Sequence, residues 1–124
     1  MVLIIGGAYQ GKLDYAKSAF YLTDEDIYIC TGTEIDFSRR CICAIEEFAY
    51  ACVKAGAEPT DYFAAHREQW QDSILICQDI FCGVVPIDTN AREWRQATGR
   101  LCQYLSREAE QVSRIFCGLE QRLK

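Results

Sequence analysis

The chain has 124 residues, enough for one domain over residues 1–124 with a real hydrophobic core. Half of the residues are hydrophobic and a quarter are charged, which excludes a disordered or low-complexity polymer. The formal charge of −5 argues against a nucleic-acid partner, because duplex affinity rests on neutralising phosphates.

The charge is unevenly spread. Residues 1–89 hold 6 Lys/Arg and 14 Asp/Glu, whereas residues 90–124 hold 7 basic and 4 acidic residues. The basic segment reads as a solvated arginine face or as one face turned toward an anion. Met1–Ile5 is apolar, but it is too short for a signal-peptide core or a membrane span and has no basic flank. The expectation is a soluble, cytoplasmic protein without a membrane partner.

In chain order, Val2–Ile5 is the first β-branched apolar run and predicts a strand buried on both faces. Lys12–Tyr21 follows with helical spacing, its apolar side carrying Tyr15, Ala19 and Phe20. Ile27–Cys30 predicts a second strand. A second helix is expected from about Asp36, with Phe37, Cys41, Ile45, Phe48 and Cys52 at three- and four-residue steps, ending before Pro59. A short helix over Asp61–Trp70 and a strand over Ser73–Gln78 come next. The last helix is expected over about Ala91–Gln111, capped by Asn90 with Glu93 as reciprocal partner and with Trp94, Leu101 and Leu105 facing the core. Val112–Cys117 predicts the final strand. Gly99, inside the last helix, reads as a point of close approach for another helix or subunit.

Strands alternating with helices predict an α/β fold of parallel βαβ units. The expectation is a three-layer sandwich around a small, mainly parallel sheet of about four strands. Ligands of such sheets bind beyond the carboxyl ends of the strands. That gathers Gly6–Leu13, Thr31–Asp36 and Asp79–Pro86 on one edge.

Eight cysteines sit largely in apolar runs, as Cys30, Cys77 and Cys117 do, and read as small buried hydrophobes. Cys41-Ile42-Cys43 has the wrong spacing for a metal pair and no complementary pair, so no metal site is expected.

Gly6-Gly7-Ala8-Tyr9-Gln10-Gly11-Lys12-Leu13 meets seven of the eight positions of the phosphate-loop pattern. Such a loop turns backbone N–H groups and a helix N-terminus toward phosphate oxygens, and Lys12 would reach the terminal phosphates. A glycine-rich turn with no ligand is the alternative. Leu13 stands where a hydroxyl normally ligates Mg²⁺, which counts against Mg²⁺ as a cofactor and against metal-assisted transfer.

Farther along, Gln78-Asp79-Ile80-Phe81-Cys82-Gly83-Val84-Val85-Pro86 resembles the segment Asn-Glu-Val-Gly-x-Gly-Ile-Val-Pro of one family. Ala91-Arg92, Trp94-Arg95, Gly99-Arg100, Gln103, Gly118 and Lys124 fall in step with it, and Gly6-Gly7-Ala8 matches its start. Over residues 1–22 and 73–124 the chain resembles the bifunctional adenosylcobinamide kinase/adenosylcobinamide-phosphate guanylyltransferase of cobalamin biosynthesis, in a shortened and divergent form. The resemblance implies a phosphate-loop-type fold and GTP or ATP bound at Gly6–Leu13. It also implies phosphorylation of a cobinamide hydroxyl and GMP transfer through a guanylylated histidine. Arg92, Arg95 and Arg100 would contact nucleotide or a neighbouring subunit, and a homo-oligomer is expected.

That histidine has no counterpart. One register sets Tyr28-Ile29-Cys30-Thr31 on the family's Tyr-Ile-Ala-Thr and drops the histidine position near Ile45-Glu46. The other places Ile27–Cys30 on the later, acid-bearing strand and deletes a whole βαβ stretch, which disturbs a sheet less. His66, the only histidine, reads as a packing or surface residue rather than a nucleophile. Lys12 and Asp79 remain as candidate catalytic residues. The residues favour a nucleotide- or phosphate-binding member with impaired catalysis. An active adenosylcobinamide kinase and a non-enzymatic structural or regulatory protein stay open.

Overall fold

A computed structural model describes residues 1–80 and 88–124. The sequence forms β1 (Val2–Gly6), α1 (Lys12–Phe20), β2 (Ile27–Ile29), β3 (Cys41–Cys43), α2 (Ile45–Lys54), α3 (Pro59–Ala65), α4 (Arg67–Trp70), β4 (Ile74–Gln78), α5 (Thr89–Glu108), β5 (Gln111–Phe116) and β6 (Leu119–Arg122). These build a six-stranded sheet in the order β2-β3-β4-β1-β5-β6, parallel except for β6. Helix α1 covers one face, and α2, α3 and α5 cover the other. The fold is the expected α/β sandwich, with six described strands instead of about four.

The central strands behave as their composition demands. Leu3 and Ile4 of β1 and Leu75, Ile76 and Cys77 of β4 are almost fully buried, because helices lie over both faces. Helix α2 buries Ile45, Phe48, Ala49 and Cys52, one stripe at helical spacing. Phe48 and Phe63 meet edge-on, with ring centroids 5.5 Å apart, and the Trp70 indole N–H donates to the Phe63 carbonyl at 2.7 Å.

Residues 36–44 do not open a helix as their spacing predicted. Cys41–Cys43 is instead a strand, pairing with both β2 and β4. Three residues are too few to display a period of two, and the following helix phases with them by chance. The sheet thus holds both β2 and β3, and neither register foresees β3. The helix expected over Asp61–Trp70 is two short helices, Pro59–Ala65 and Arg67–Trp70, meeting at His66. Helix α5 begins at Thr89 and is capped by Asp88, whose carboxylate accepts from the Asn90 N–H at 3.1 Å, not by Asn90. Strand β6 was not anticipated. It returns from β5 through Cys117 (φ 52°) and Gly118 (φ 76°), the two-residue turn with positive φ at both positions that suits strand twist.

Of the described cysteines, Cys30, Cys41, Cys52, Cys77 and Cys102 are buried, as expected, and Cys43 is half-buried. Desolvation pushes the Cys30 and Cys41 thiols up to about 12 and Cys52 up to about 11. Cys117 departs from expectation: it is exposed at the turn. Cys82 lies outside the described residues. No helix among the described residues is long and apolar enough to cross a membrane.

Two glycines behave oppositely. A Cβ on Gly6 would lie 2.6 Å from the Ile115 carbonyl oxygen, so β1 and β5 meet only because position 6 has no side chain. Among the described residues Gly99 has nothing within 4 Å of where its Cβ would sit, so none of their elements makes the close approach expected of another helix. Gly6→Ala is expected to lower the unfolding free energy by about 1–3 kcal/mol, the usual cost of overpacking. Gly99→Ala is expected to raise it by about 0.5–1 kcal/mol, since alanine suits a helix interior better. Denaturant titrations of the two variants should therefore shift in opposite directions.

Candidate functional site

The chain leaves β1 at Gly6, turns through Gly7–Gln10 and enters α1 at Lys12, with Gly11 (φ 91°) as N-cap. Gly11 accepts the first helical bond, from the Tyr15 N–H at 2.9 Å, and its positive φ suits glycine. Both neighbours of β1 fasten the loop. From the β4 side, the Asp79 N–H donates to the Gly6 carbonyl at 2.7 Å. From the β5–β6 turn, the Cys117 N–H donates to Gln10 Oε1 at 2.6 Å and the Gly118 N–H to the Gln10 carbonyl at 2.8 Å. Gln10 is thus a tether and Tyr9 a fully exposed tip.

The Lys12 ammonium folds back over the loop and donates to the Gly7 carbonyl at 2.6 Å. It lines a cleft of about 430 Å³ at the carboxyl edge of the sheet. Leu13 lines the same cleft with hydrocarbon at the expected hydroxyl position. Across from the loop the wall comes from β3 and the start of α2, through Cys43, Ala44 and Glu46. Ala44 adopts a left-handed conformation (φ 60°), an uncommon one for a residue with a Cβ, and this sharp corner turns β3 directly into α2.

Glu46 was not singled out from the sequence. Its side chain is buried, and its Oε1 accepts the Gln78 N–H at 2.8 Å. Its backbone carbonyl accepts the Trp94 indole N–H at 2.8 Å, which ties α5 to the cleft wall. A buried carboxylate requires such bonds, because desolvation disfavours an unpaired charge. Desolvation, helped by the Glu46 charge, raises the neighbouring Cys43 thiol, while Lys12 opposes the shift. A cleft lined by the Lys12 ammonium and the Asp14 and Glu46 carboxylates beside a glycine loop can bind an anionic group at Lys12 and orient a proton-bearing group at a carboxylate. The signal for Glu46 was a charged residue in the inward stripe of Ile45, Phe48 and Cys52, legible only once α2 is known to start at Ile45.

The other candidates separate. Asp79 stays at the loop through its backbone bond, while Phe81–Pro86 of its motif lie outside the described residues. His66 is far from this chemistry in its bonding: Nδ1 lies 2.7 Å from the Tyr62 carbonyl, and the ring stacks on Tyr62 with centroids 4.2 Å apart. Arg100 is committed to Glu58 at 3.0 Å. Among the described residues no group of three His, Cys, Asp or Glu is placed to hold a metal ion.

Comparison with individual curated proteins finds no match. The family described as cobinamide kinase / cobinamide phosphate guanyltransferase matches residues 44–123, from the corner before α2 through β6. The matched part carries Glu46, Gln78 and Asp79, whereas the glycine loop and Lys12 precede it. It also includes residues 44–72, where the resemblance read from the sequence was weak. With well over half of its length matched, the chain belongs to the cobinamide kinase / cobinamide phosphate guanyltransferase family.

Proposed function

We propose that Gly6–Leu13 is an anion cradle for the phosphates of GTP or ATP in a single phosphate-loop-type domain. In this reading the chain is a divergent family member that binds nucleotide but transfers phosphoryl and guanylyl groups poorly or not at all. Family membership supports nucleotide and cobinamide as the ligand classes. The observation that carries the reading is Lys12: its ammonium rests on a loop carbonyl at the cleft mouth, a contact that phosphate oxygens would exchange for a stronger, charge-assisted one. The impaired chemistry follows from side chains that are missing. Leu13 offers no hydroxyl, and His66 is held in an aromatic stack instead of facing the cleft.

Calorimetric titration with GTP, ATP and inorganic phosphate, each with and without Mg²⁺, tests the binding. Wild-type protein should bind a triphosphate, and Lys12→Ala should weaken binding by at least about tenfold, as expected for losing a charge-assisted hydrogen bond. Absence of binding by the folded wild type overturns the cradle.

One observation favours an active kinase instead, namely the Glu46 carboxylate in the same cleft as Lys12. It is a general base in kind and place for a substrate hydroxyl. Labelled GTP and adenosylcobinamide separate the two readings. Product formation that Glu46→Gln lowers by about a hundredfold or more, with nucleotide affinity unchanged, would establish the kinase; no product supports the binding-only member.

A further inference from the structure

We propose that Tyr9 is a stacking platform for the planar ring of a nucleoside triphosphate whose phosphates lie in the Gly6–Leu13 cradle. The inference rests on the phosphate-binding reading of that loop. It adds the residue that separates a nucleotide from a bare polyphosphate.

Folding draws no benefit from a tyrosine at this position. The side chain is fully exposed, whereas Phe48, Phe63 and Trp70 are buried and stabilise the core. The backbone is left-handed (φ 60°), a conformation that glycine or asparagine adopts far more readily than a bulky residue. Tyr21 shares the exposure and the positive φ, but it ends α1, away from the loop. Tyr9 instead lines the cleft together with Lys12. Its place is held by the next residue: Gln10 accepts the Cys117 N–H at Oε1 and the Gly118 N–H at its carbonyl, at 2.6 and 2.8 Å. A large ring on an anchored loop is presented to the cleft without an ordering cost at the backbone.

The rest of the lining selects what lies beside the anion. Lys12 is the one cation among the described lining residues, while Asp14 and Glu46 are carboxylates and Leu13, Ala44 and Ile76 are apolar. Phosphate charge is therefore welcome at Lys12 and repelled elsewhere in the cleft. A ligand that fits carries its anion at one end and an uncharged plane at the other. A purine nucleoside triphosphate has that shape, and inorganic phosphates do not. Stacking on an aromatic side chain uses the face of the base, so a tyrosine ring is sufficient to hold it.

Calorimetric titration of the full chain with GTP and with inorganic tripolyphosphate tests the platform. Tyr9→Ala should weaken GTP binding by about tenfold and leave tripolyphosphate binding unchanged. Tyr9→Leu, apolar but not aromatic, should bind GTP as weakly as Tyr9→Ala. Tyr9→Trp should keep the wild-type affinity, and its added fluorescence should be quenched by GTP but not by tripolyphosphate. Tyr9→Ala with wild-type affinity for GTP overturns the platform and leaves the cradle standing. So does an equal loss for GTP and tripolyphosphate, which would mark a change in loop shape, or a Tyr9→Leu variant that binds GTP as the wild type does. Absence of GTP quenching in a Tyr9→Trp variant that binds GTP overturns it too. A folded wild type that binds neither GTP nor tripolyphosphate overturns the cradle, and the platform with it.

Discussion

Strand β1 passes Gly6 so close to the Ile115 carbonyl that a single added carbon has no room. That contact sets where β1 stops following β5 and where the loop must begin. Everything at the cleft is referred to this point. β4 reaches the same residue through the Asp79 N–H, and the β5–β6 turn reaches the loop through Gln10. The loop is therefore clamped from both neighbouring strands, and Lys12 enters α1 from a backbone whose start and end are both fixed. Preorganisation of this kind lowers the cost of gathering N–H groups around an anion.

The opposite wall is organised by a buried carboxylate. Glu46 is one of the few polar residues in the core, and it is held by the Gln78 N–H while its carbonyl receives Trp94. These bonds link α2, β4 and α5 around one residue. Around it lie thiols kept protonated by desolvation, including Cys43 in the cleft wall. Low-reactivity thiols fill volume there as small hydrophobes do. The cleft therefore sets the Lys12 ammonium against two carboxylates, Asp14 on its own helix and Glu46 on the opposite wall.

Membership in the cobinamide kinase / cobinamide phosphate guanyltransferase family rests on residues 44–123, a segment that frames the cleft from the α2 side. The loop side lies outside that match and is argued from its own geometry. The resemblance implies a guanylylated histidine, and His66, the single histidine, is part of the Tyr62 and Phe37 stack. Arg100, read from the resemblance as a contact to nucleotide or to a neighbouring subunit, pairs with Glu58.

The alternation of apolar runs and helical stripes was sufficient to determine the α/β class, the places of β1, β4 and β5, and the position of the glycine loop before α1. These features are local: a buried strand needs a continuous apolar run, and a tight strand-to-helix turn needs glycine. The core faces of α2 and α5 followed from spacing for the same reason. Tertiary structure alone decided the rest. β3 is a three-residue strand whose identity comes from its neighbours β2 and β4, not from its own pattern. Glu46 became a cleft residue only because the left-handed corner at Ala44 sets the phase of α2. Gly99 looked like a packing contact, yet no element among the described residues approaches it. Cys117 looked buried, yet the turn at Gly118 carries it into solvent. For β3 the deciding contacts join residues far apart in the chain, Cys41 with Ile27 and Ile74, and no short window of sequence contains both partners.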